Sequence, residues 1–331
     1  MSSERLRFAI SSGGLALPDD GPVALVGARV SDGLPLPAAR CLVVQTFAPE
    51  VTAWEAQGAQ VATALEGRFA AVVVTLPRAR DLAEAMIARA EAAAPGGLVV
   101  VNGAKTDGVE AIAKALKSKV ALLGQVSKAH GKCVWFRAGT SLQDWARPAM
   151  ARTTSGDMTA PGVFSADGPD PASVALAKAL PDTLNGTVAD LGAGWGWLSR
   201  EILLREGVTA LHLVEAELTA LDCAKVNVTD PRATFHWADA TAWKPQRPLD
   251  AVVMNPPFHV GRKAEPQLGQ AFMAAAARML SPQGQVWMVA NRHLPYEATL
   301  SALFRDHAEV AGTSQFKILH AARPKGPARR T

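Results

Sequence analysis

The apolar run Ala251-Val252-Val253-Met254 stops at Asn255-Pro256-Pro257-Phe258. Each proline fixes its own φ and restricts the residue before it. A strand that ends here therefore presents one amide side chain, one carbonyl and one aromatic ring on a stiff turn, which suits holding a planar amine. The same four residues also describe a proline-terminated strand with a core phenylalanine. The elements around them decide between the two.

A second group lies upstream, in Val188-Ala189-Asp190-Leu191-Gly192-Ala193-Gly194-Trp195-Gly196-Trp197-Leu198-Ser199. It reads as a short apolar strand, a glycine turn and the start of a helix. Glycines let the backbone pass close to a ligand, and the N-terminus of the helix that follows offers unpaired N–H groups to an anionic one. A dinucleotide fingerprint needs a small residue where Trp197 stands, so the loop points to another nucleotide-like cofactor. The strand Ala210 to Val214 ends in Glu215, placed to accept two hydrogen bonds from ribose hydroxyls. A third strand ends at Phe235-His236-Trp237-Ala238-Asp239-Ala240, which puts Asp239 either against an adenine or at a helix cap. The fourth strand carries Asn255. Ligands of open parallel sheets sit outside the carboxyl ends of the strands, so these residues converge. Beyond them the pattern predicts helices over Gln267 to Leu280 and Tyr296 to Phe304. It predicts strands over Gln285 to Ala290, Ala308 to Ala311 and Gln315 to His320.

With 331 residues the chain is long enough for about two domains. A composition 49% hydrophobic and 19% charged excludes disorder. No apolar stretch is long enough to span a bilayer and the N-terminus lacks a signal pattern, so a cytoplasmic location and no membrane partner are expected. Cys41, Cys133 and Cys223 lie far apart and read as core residues, with no metal site indicated. Net charge is +4, yet from Lys317 onward Lys317, Arg323, Lys325, Arg329 and Arg330 stand without an acid, so the remainder is close to neutral. Such a tail can lie on phosphates or simply in solvent.

Several segments in order carry a resemblance: Asp190-x-Gly192-x-Gly194-x-Gly196; Pro161-Gly162-Val163-Phe164-Ser165 with Asp167-Gly168; Asn255-Pro256-Pro257-Phe258-His259; Val289-Ala290-Asn291-Arg292-His293-Leu294-Pro295-Tyr296; and Phe316-Lys317. Over about residues 160 to 320 the chain resembles class I S-adenosylmethionine-dependent methyltransferases, specifically the ribosomal RNA guanine-N2 methyltransferases of the RsmC and RlmG type. The resemblance implies S-adenosylmethionine as methyl donor, an exocyclic guanine amine as acceptor, with 16S favoured over 23S RNA, and ribosomal RNA or a ribosomal subunit as partner. It implies Phe164, Asp190, Gly192, Ala193, Gly194, Gly196, Glu215, Ala216, Asp239, Ala240 and Asn255 on the cofactor. The catalytic loop is then Asn255, Pro256, Pro257 and Phe258. Phe258, His259, Arg262, Lys263, Arg292, His293 and Lys317 stand where they can meet the base or RNA phosphates. Trp195 in the glycine loop departs from the small residues usual in the family and bears on the pocket's shape.

The first half repeats the second in outline. Gly21-Pro22-Val23-Ala24-Leu25-Val26-Gly27-Ala28-Arg29 falls on Gly186 to Gly194, Cys41 to Gln45 on Leu211 to Glu215, and Ala71 to Arg78 on Ala251 to Phe258. In this alignment Asp190 is replaced by Leu25, Gly194 by Arg29, Glu215 by Gln45 and Asn255 by Thr75. The expected organisation is two tandem Rossmann-like α/β domains, each with a mostly parallel seven-stranded sheet. A degenerate domain spans 1–146, a linker 147–160, the catalytic domain 161–322 and a basic tail 323–331. A protein glutamine-N5 methyltransferase, a DNA adenine-N6 methyltransferase and a non-catalytic RNA-binding assembly factor are the competing readings. The second lacks a separate DNA-reading motif. The third conflicts with the presence of Glu215 and Asn255 beside a copy that has lost both.

Overall fold

Two runs of short, β-branched-rich strands set the architecture. The computed structural model describes residues 2–257, 259–260, 263–264 and 266–326. In it the first run comprises β1 (Val23–Val26), β2 (Cys41–Val44), β3 (Gln60–Ala62), β4 (Ala71–Thr75), β5 (Leu98–Ala104), β6 (Leu122–Lys128) and β7 (Gly131–Arg137). They form one sheet in the order β3-β2-β1-β4-β5-β7-β6, with β7 antiparallel to its neighbours. Helices α1 (Ser2–Ser11), α2 (Ala48–Ala56), α3 (Arg80–Ala93) and α4 (Val109–Lys117) accompany it.

After the short hairpin β8 (Ala151–Arg152) and β9 (Met158–Thr159) comes the second run: β10 (Gly186–Leu191), β11 (Val208–Glu215), β12 (Ala233–Trp237) and β13 (Leu249–Met254). The two-residue strands β14 (His259–Val260) and β15 (Lys263–Ala264) pair with each other, and β16 (Leu280–Asn291), β17 (Phe304–Gly312) and β18 (Phe316–Pro324) complete the sheet. The order β12-β11-β10-β13-β16-β18-β17 is the first sheet over again. Helices α5 (Pro171–Ala179), α6 (Trp197–Leu203), α7 (Leu218–Asn227), α8 (Pro266–Met279) and α9 (Glu297–Leu303) belong to this half. The units divide as Met1–Ala149 and Met150–Thr331.

Parallel strands covered by helices bury both faces, so their residues alternate between two cores rather than between core and water. In β13, Val252 and Met254 enter one apolar cluster while Ala251 and Val253 enter another. In β4, Val72 and Val74 separate from Ala71 and Val73 in the same way. The three cysteines are buried and unpaired, and burial pushes the Cys133 thiol up to about 12. Among the described residues no helix is long and apolar enough to cross a membrane, and no group of three metal-ligating side chains gathers.

Two boundaries differ from the sequence reading. The segment read as a linker, 147–160, contains the β8–β9 hairpin, and Met150, Met158 and Ala160 pack with Val163, Trp195, Ala220 and Cys223. Thr and Ser residues that look like linker composition instead close the turn, where the Thr153 and Ser155 hydroxyls bond to each other and Ser155 donates to Asp157. The basic tail also starts later than 323. Arg323 lies in β18 and pairs with Asp306, while Lys325 donates to the Ser301 carbonyl.

Candidate active site

The glycine loop leaves β10 and turns over the end of β11. The amides of Gly192 and Ala193 donate to the Val214 carbonyl, and the amide of Gly194 donates to Glu215 Oε2 at 2.8 Å. Gly192, Gly194 and Gly196 all have positive φ, at 79°, 57° and 88°, a region that costs an L side chain roughly 1–2 kcal/mol. Their surroundings separate their roles. A Cβ on Gly194 would meet nothing within 4 Å and one on Gly192 only Phe272 at 3.7 Å, whereas a Cβ on Gly196 would stand 2.7 Å from Val228 Cγ2. The first two line open space, and the third lets α6 approach α7.

Below the loop Asp190 is buried, with 1% of its surface exposed. Its Oδ2 accepts from the Ser199 hydroxyl at 2.6 Å, while Oδ1 has no hydrogen-bond partner among the described residues. Burial pushes its carboxyl up to about 7, opposed by the Ser199 bond and reinforced by the charge of Glu215. Glu215 closes β11 as the spacing predicts. Burial raises its pKa, and hydrogen bonds from the Glu217 and Gly194 amides pull it back.

Asn255 follows β13 into the same cleft. Its Nδ2 donates to Asp170 Oδ2 at 2.9 Å and to Ser173 Oγ at 2.8 Å. Asp170 is the N-cap of α5 and accepts the Ser173 amide with the same oxygen. A carboxylate only accepts, so the amide atom facing Asp170 is the nitrogen and Oδ1 is the acceptor left over. Asn255, Asp170 and Ser173 line one cleft with Phe164, Gly192, Ala193, Gly194 and Trp197. Phe164 is 67% exposed at its edge, an unusual position for a large apolar ring. Trp195 also lines this cleft, though it is largely buried at 4% exposed, and its indole N–H donates to the Ser165 carbonyl. It anchors the Pro161 to Ser165 segment beside the glycine loop.

The remaining sequence-predicted residues divide. Asp239 stands just after β12, and its Oδ1 accepts from the Thr241 amide and hydroxyl, which closes a turn; among the described residues no helix follows for it to cap before β13. The Ala216 carbonyl accepts from the Trp237 indole, and Ala240 is buried in the core. Pro256 is buried and Pro257 exposed. The backbones of His259 and Lys263 form the β14–β15 pair, while Phe258, Arg262, Arg329 and Arg330 lie outside the described residues. His293 is exposed and lines a second, shallow recess with Asn291, Arg292, Gln315 and Phe316. The Arg292 guanidinium bonds Glu309 and the Thr313 and Phe316 carbonyls, so it braces the β17–β18 turn.

Lys317 is a correction. It is 4% exposed, and its ammonium donates to the Leu294 carbonyl at 2.7 Å and pairs with Glu297. An ion so enclosed is already paired and holds the Leu294-Pro295-Tyr296 turn rather than a substrate phosphate. Sequence reading missed Asp170 and Ser173. Their one signal was Asp170-Pro171, a cap residue followed by a proline at the first helical position.

A family model described as a methyltransferase small domain matches residues 157–320. The ribosomal RNA small subunit methyltransferase C of Shewanella oneidensis is 27% identical over 267 residues, covering 77% of this chain and 78% of that protein. The Hahella chejuensis protein of the same name is 29% identical over 267 residues, covering 76% and 77%. Among solved structures, the T. thermophilus 16S rRNA N2 methyltransferase RsmC, in complex with AdoMet and guanosine, superposes with a TM-score of 0.80. It is 24% identical and covers 97% of this chain and 91% of its own, which shows the fold of both units. With an Asn-Pro-Pro loop set over a glycine turn and relatives matched across both halves, the second unit matches the methyltransferase small domain and the chain as a whole is similar to the ribosomal RNA small subunit methyltransferase C proteins.

Proposed function

We infer that this protein transfers the methyl group of S-adenosylmethionine to the exocyclic N2 amine of a guanine in 16S ribosomal RNA: its relatives are named as small-subunit ribosomal RNA methyltransferases, and its structural neighbour as a 16S rRNA N2 methyltransferase in complex with AdoMet and guanosine. The observation that carries the reading is the Asn255 amide: it lines the cleft beside the glycine loop, and with its nitrogen committed to Asp170 and Ser173 its oxygen is the acceptor left for a ligand. An oxygen held this way selects a donor, and an exocyclic amine offers two.

The cleft fits the cofactor. A buried carboxyl oxygen without a partner and two glycines bordering open space are what a positively charged, non-protein group requires. When bound, S-adenosylmethionine supplies an electrophilic methyl on a cationic sulfur. Asp190 and the Gly192 to Gly194 loop take its charged end, and Phe164 covers it. Each Glu215 oxygen accepts one backbone amide and keeps lone-pair capacity for ribose hydroxyls. Asp239 stands for the adenine.

A guanine N2 amine is a weak nucleophile because its lone pair is delocalised into the ring. Asn255 Oδ1 and the Pro256 carbonyl each accept one N2–H and turn that lone pair toward the methyl group, with Phe258 stacked on the base. The same acceptors face the nitrogen as it becomes positive, and one of those two N–H protons then leaves to water. Alignment of two bound reactants can account for up to roughly 7–11 kcal/mol of barrier, and no strong base is needed because the methylated, positively charged nitrogen is acidic enough to lose its proton to water. His259, Arg262, Lys263 and His293 supply the polar and cationic groups that meet RNA. A ribosomal substrate puts the site of action in the cytoplasm.

Incubation with labelled S-adenosylmethionine and unmodified small ribosomal subunits is expected to yield N2-methylguanosine, and Asn255→Ala to reduce the rate at least a hundredfold, a loss on the order of 3 kcal/mol. Label on the large subunit, on a protein glutamine, or on no guanine at all would overturn the reading.

A further inference from the structure

Resting on that reading of the site, we propose that Asp170 and Ser173 are positioning residues that lock the Asn255 amide in one of its two flip states. The two ends of a carboxamide are nearly equal in size and opposite in hydrogen bonding: one accepts, the other donates twice. With the oxygen toward substrate, Asn255 accepts an amine hydrogen. With the nitrogen there, it places two N–H donors against the N–H donors of the guanine amine, and the lone pair is not turned out. Nothing in Asn255 itself or in the prolines after it distinguishes the two states.

Asp170 does, because a carboxylate only accepts, and the Ser173 hydroxyl adds a second partner on the same nitrogen. Asp170 Oδ2 sits 2.9 Å and Ser173 Oγ 2.8 Å from Asn255 Nδ2. Flipping the amide would set its oxygen against the carboxylate. Asp170 is fixed in turn by the α5 N-cap bond from the Ser173 amide at 2.9 Å, and Ser173 is buried. The first helical turn of α5 thus carries both acceptors as one rigid piece. It sits 85 and 82 residues from Asn255 in sequence.

The test separates this role from helix capping, cofactor binding and loss of the reaction itself. The shorter side chain in Asp170→Ser can still cap α5 but does not reach Asn255, and Ser173→Ala removes the second acceptor alone. Single-turnover methylation of small subunits, calorimetric cofactor affinity and thermal midpoint are measured for wild type, Asp170→Ser, Ser173→Ala and Asp170→Asn. We expect rate losses on the order of a hundredfold for Asp170→Ser and about tenfold for Ser173→Ala. Cofactor affinity should stay within about threefold, since neither variant removes a group assigned to the cofactor. Asp170→Asn, whose side-chain oxygen can accept from both the Ser173 amide and Asn255, should recover at least tenfold over Asp170→Ser. Wild-type rates in Asp170→Ser and Ser173→Ala, or rate losses matched by equal losses of cofactor affinity, would overturn the proposal. A wild type that methylates no guanine would instead overturn the proposed function.

Discussion

A carboxyl group buried under a glycine loop with one oxygen unpaired is held back from ionising, and Asp190 is such a group, with its pKa pushed up to about 7 mainly by burial. The sign of the consequence follows from linkage. A folded pKa above the unfolded one contributes stability that is complete below the unfolded value, about 4, and is lost as pH rises through the folded one. The ligand-free protein is therefore destabilised by this residue toward neutral pH, and a cationic ligand, which favours the ionised form, offsets that. S-adenosylmethionine affinity should rise by up to about tenfold per pH unit below 7 and level off above it. Calorimetry across pH 5.5 to 8.5 checks this, with Asp190→Asn expected to bind weakly and without the slope. A wild-type affinity flat with pH would show that Asp190 ionisation is not coupled to binding. Asp190, Glu215 and Asn255 were legible in the sequence because each stands within one residue of a strand's end, next to a recognisable turn. The Asp170 and Ser173 partners of Asn255 were not, because a contact across 85 residues depends on where helix α5 packs, and local spacing carries no record of that.

At the scale of elements, the loop between β10 and α6 separates two reasons for a glycine. Gly194 has positive φ with open space where a side chain would begin. Gly196 has positive φ and a helix pressed against it, with Ala224 Cβ 3.2 Å and Val228 Cγ2 2.7 Å from a Cβ there. Gly196→Ala must therefore push α6 and α7 apart as well as strain the backbone, a cost of about 2–4 kcal/mol. Gly194→Ala should cost about 1 kcal/mol but should weaken cofactor binding, since its methyl enters the cradle. Thermal unfolding and cofactor titration of both variants distinguish them, and equal stability losses would refute the division. Sequence spacing alone marked both glycines as ligand-facing, since a pattern of alternate glycines does not show which of them a neighbouring helix touches. Lys317 was misplaced for a related reason: a lysine after an aromatic near the end of the chain looks solvated until the Leu294 turn and Glu297 fold over it.

On the scale of the whole chain, the internal repeat holds at single-residue register. Val23 stands beside Cys41 and Ala71 in the first sheet, and Val188 beside Leu211 and Ala251 in the second, which are the pairs the sequence alignment equates. A slip of one residue would exchange the two faces of a strand, so the agreement fixes which residues took the place of the site. Gln45, at the Glu215 position, donates to the Ala28 carbonyl at 3.1 Å and accepts from the Thr46 and Phe47 amides. Trp54, 1% exposed, donates to the same carbonyl at 3.0 Å. Where the second unit has a carboxylate with spare acceptor capacity beside an open loop, the first has an amide and an indole satisfied within the protein. Filling such a site with cofactor would require breaking these buried bonds, at about 1–3 kcal/mol for each group left unpaired, with Leu25 and Gln45 in the places of the two acids Asp190 and Glu215. The 331-residue chain should therefore bind one S-adenosylmethionine, and Gly194→Trp, which fills the second unit's cradle, should leave no residual binding in calorimetry. A stoichiometry of two, or a weaker site surviving in Gly194→Trp, would show that the first unit keeps a cofactor site of its own. Gln45→Glu in the wild-type background should add no second site, since Trp54 and the Ala28 carbonyl would still occupy one another.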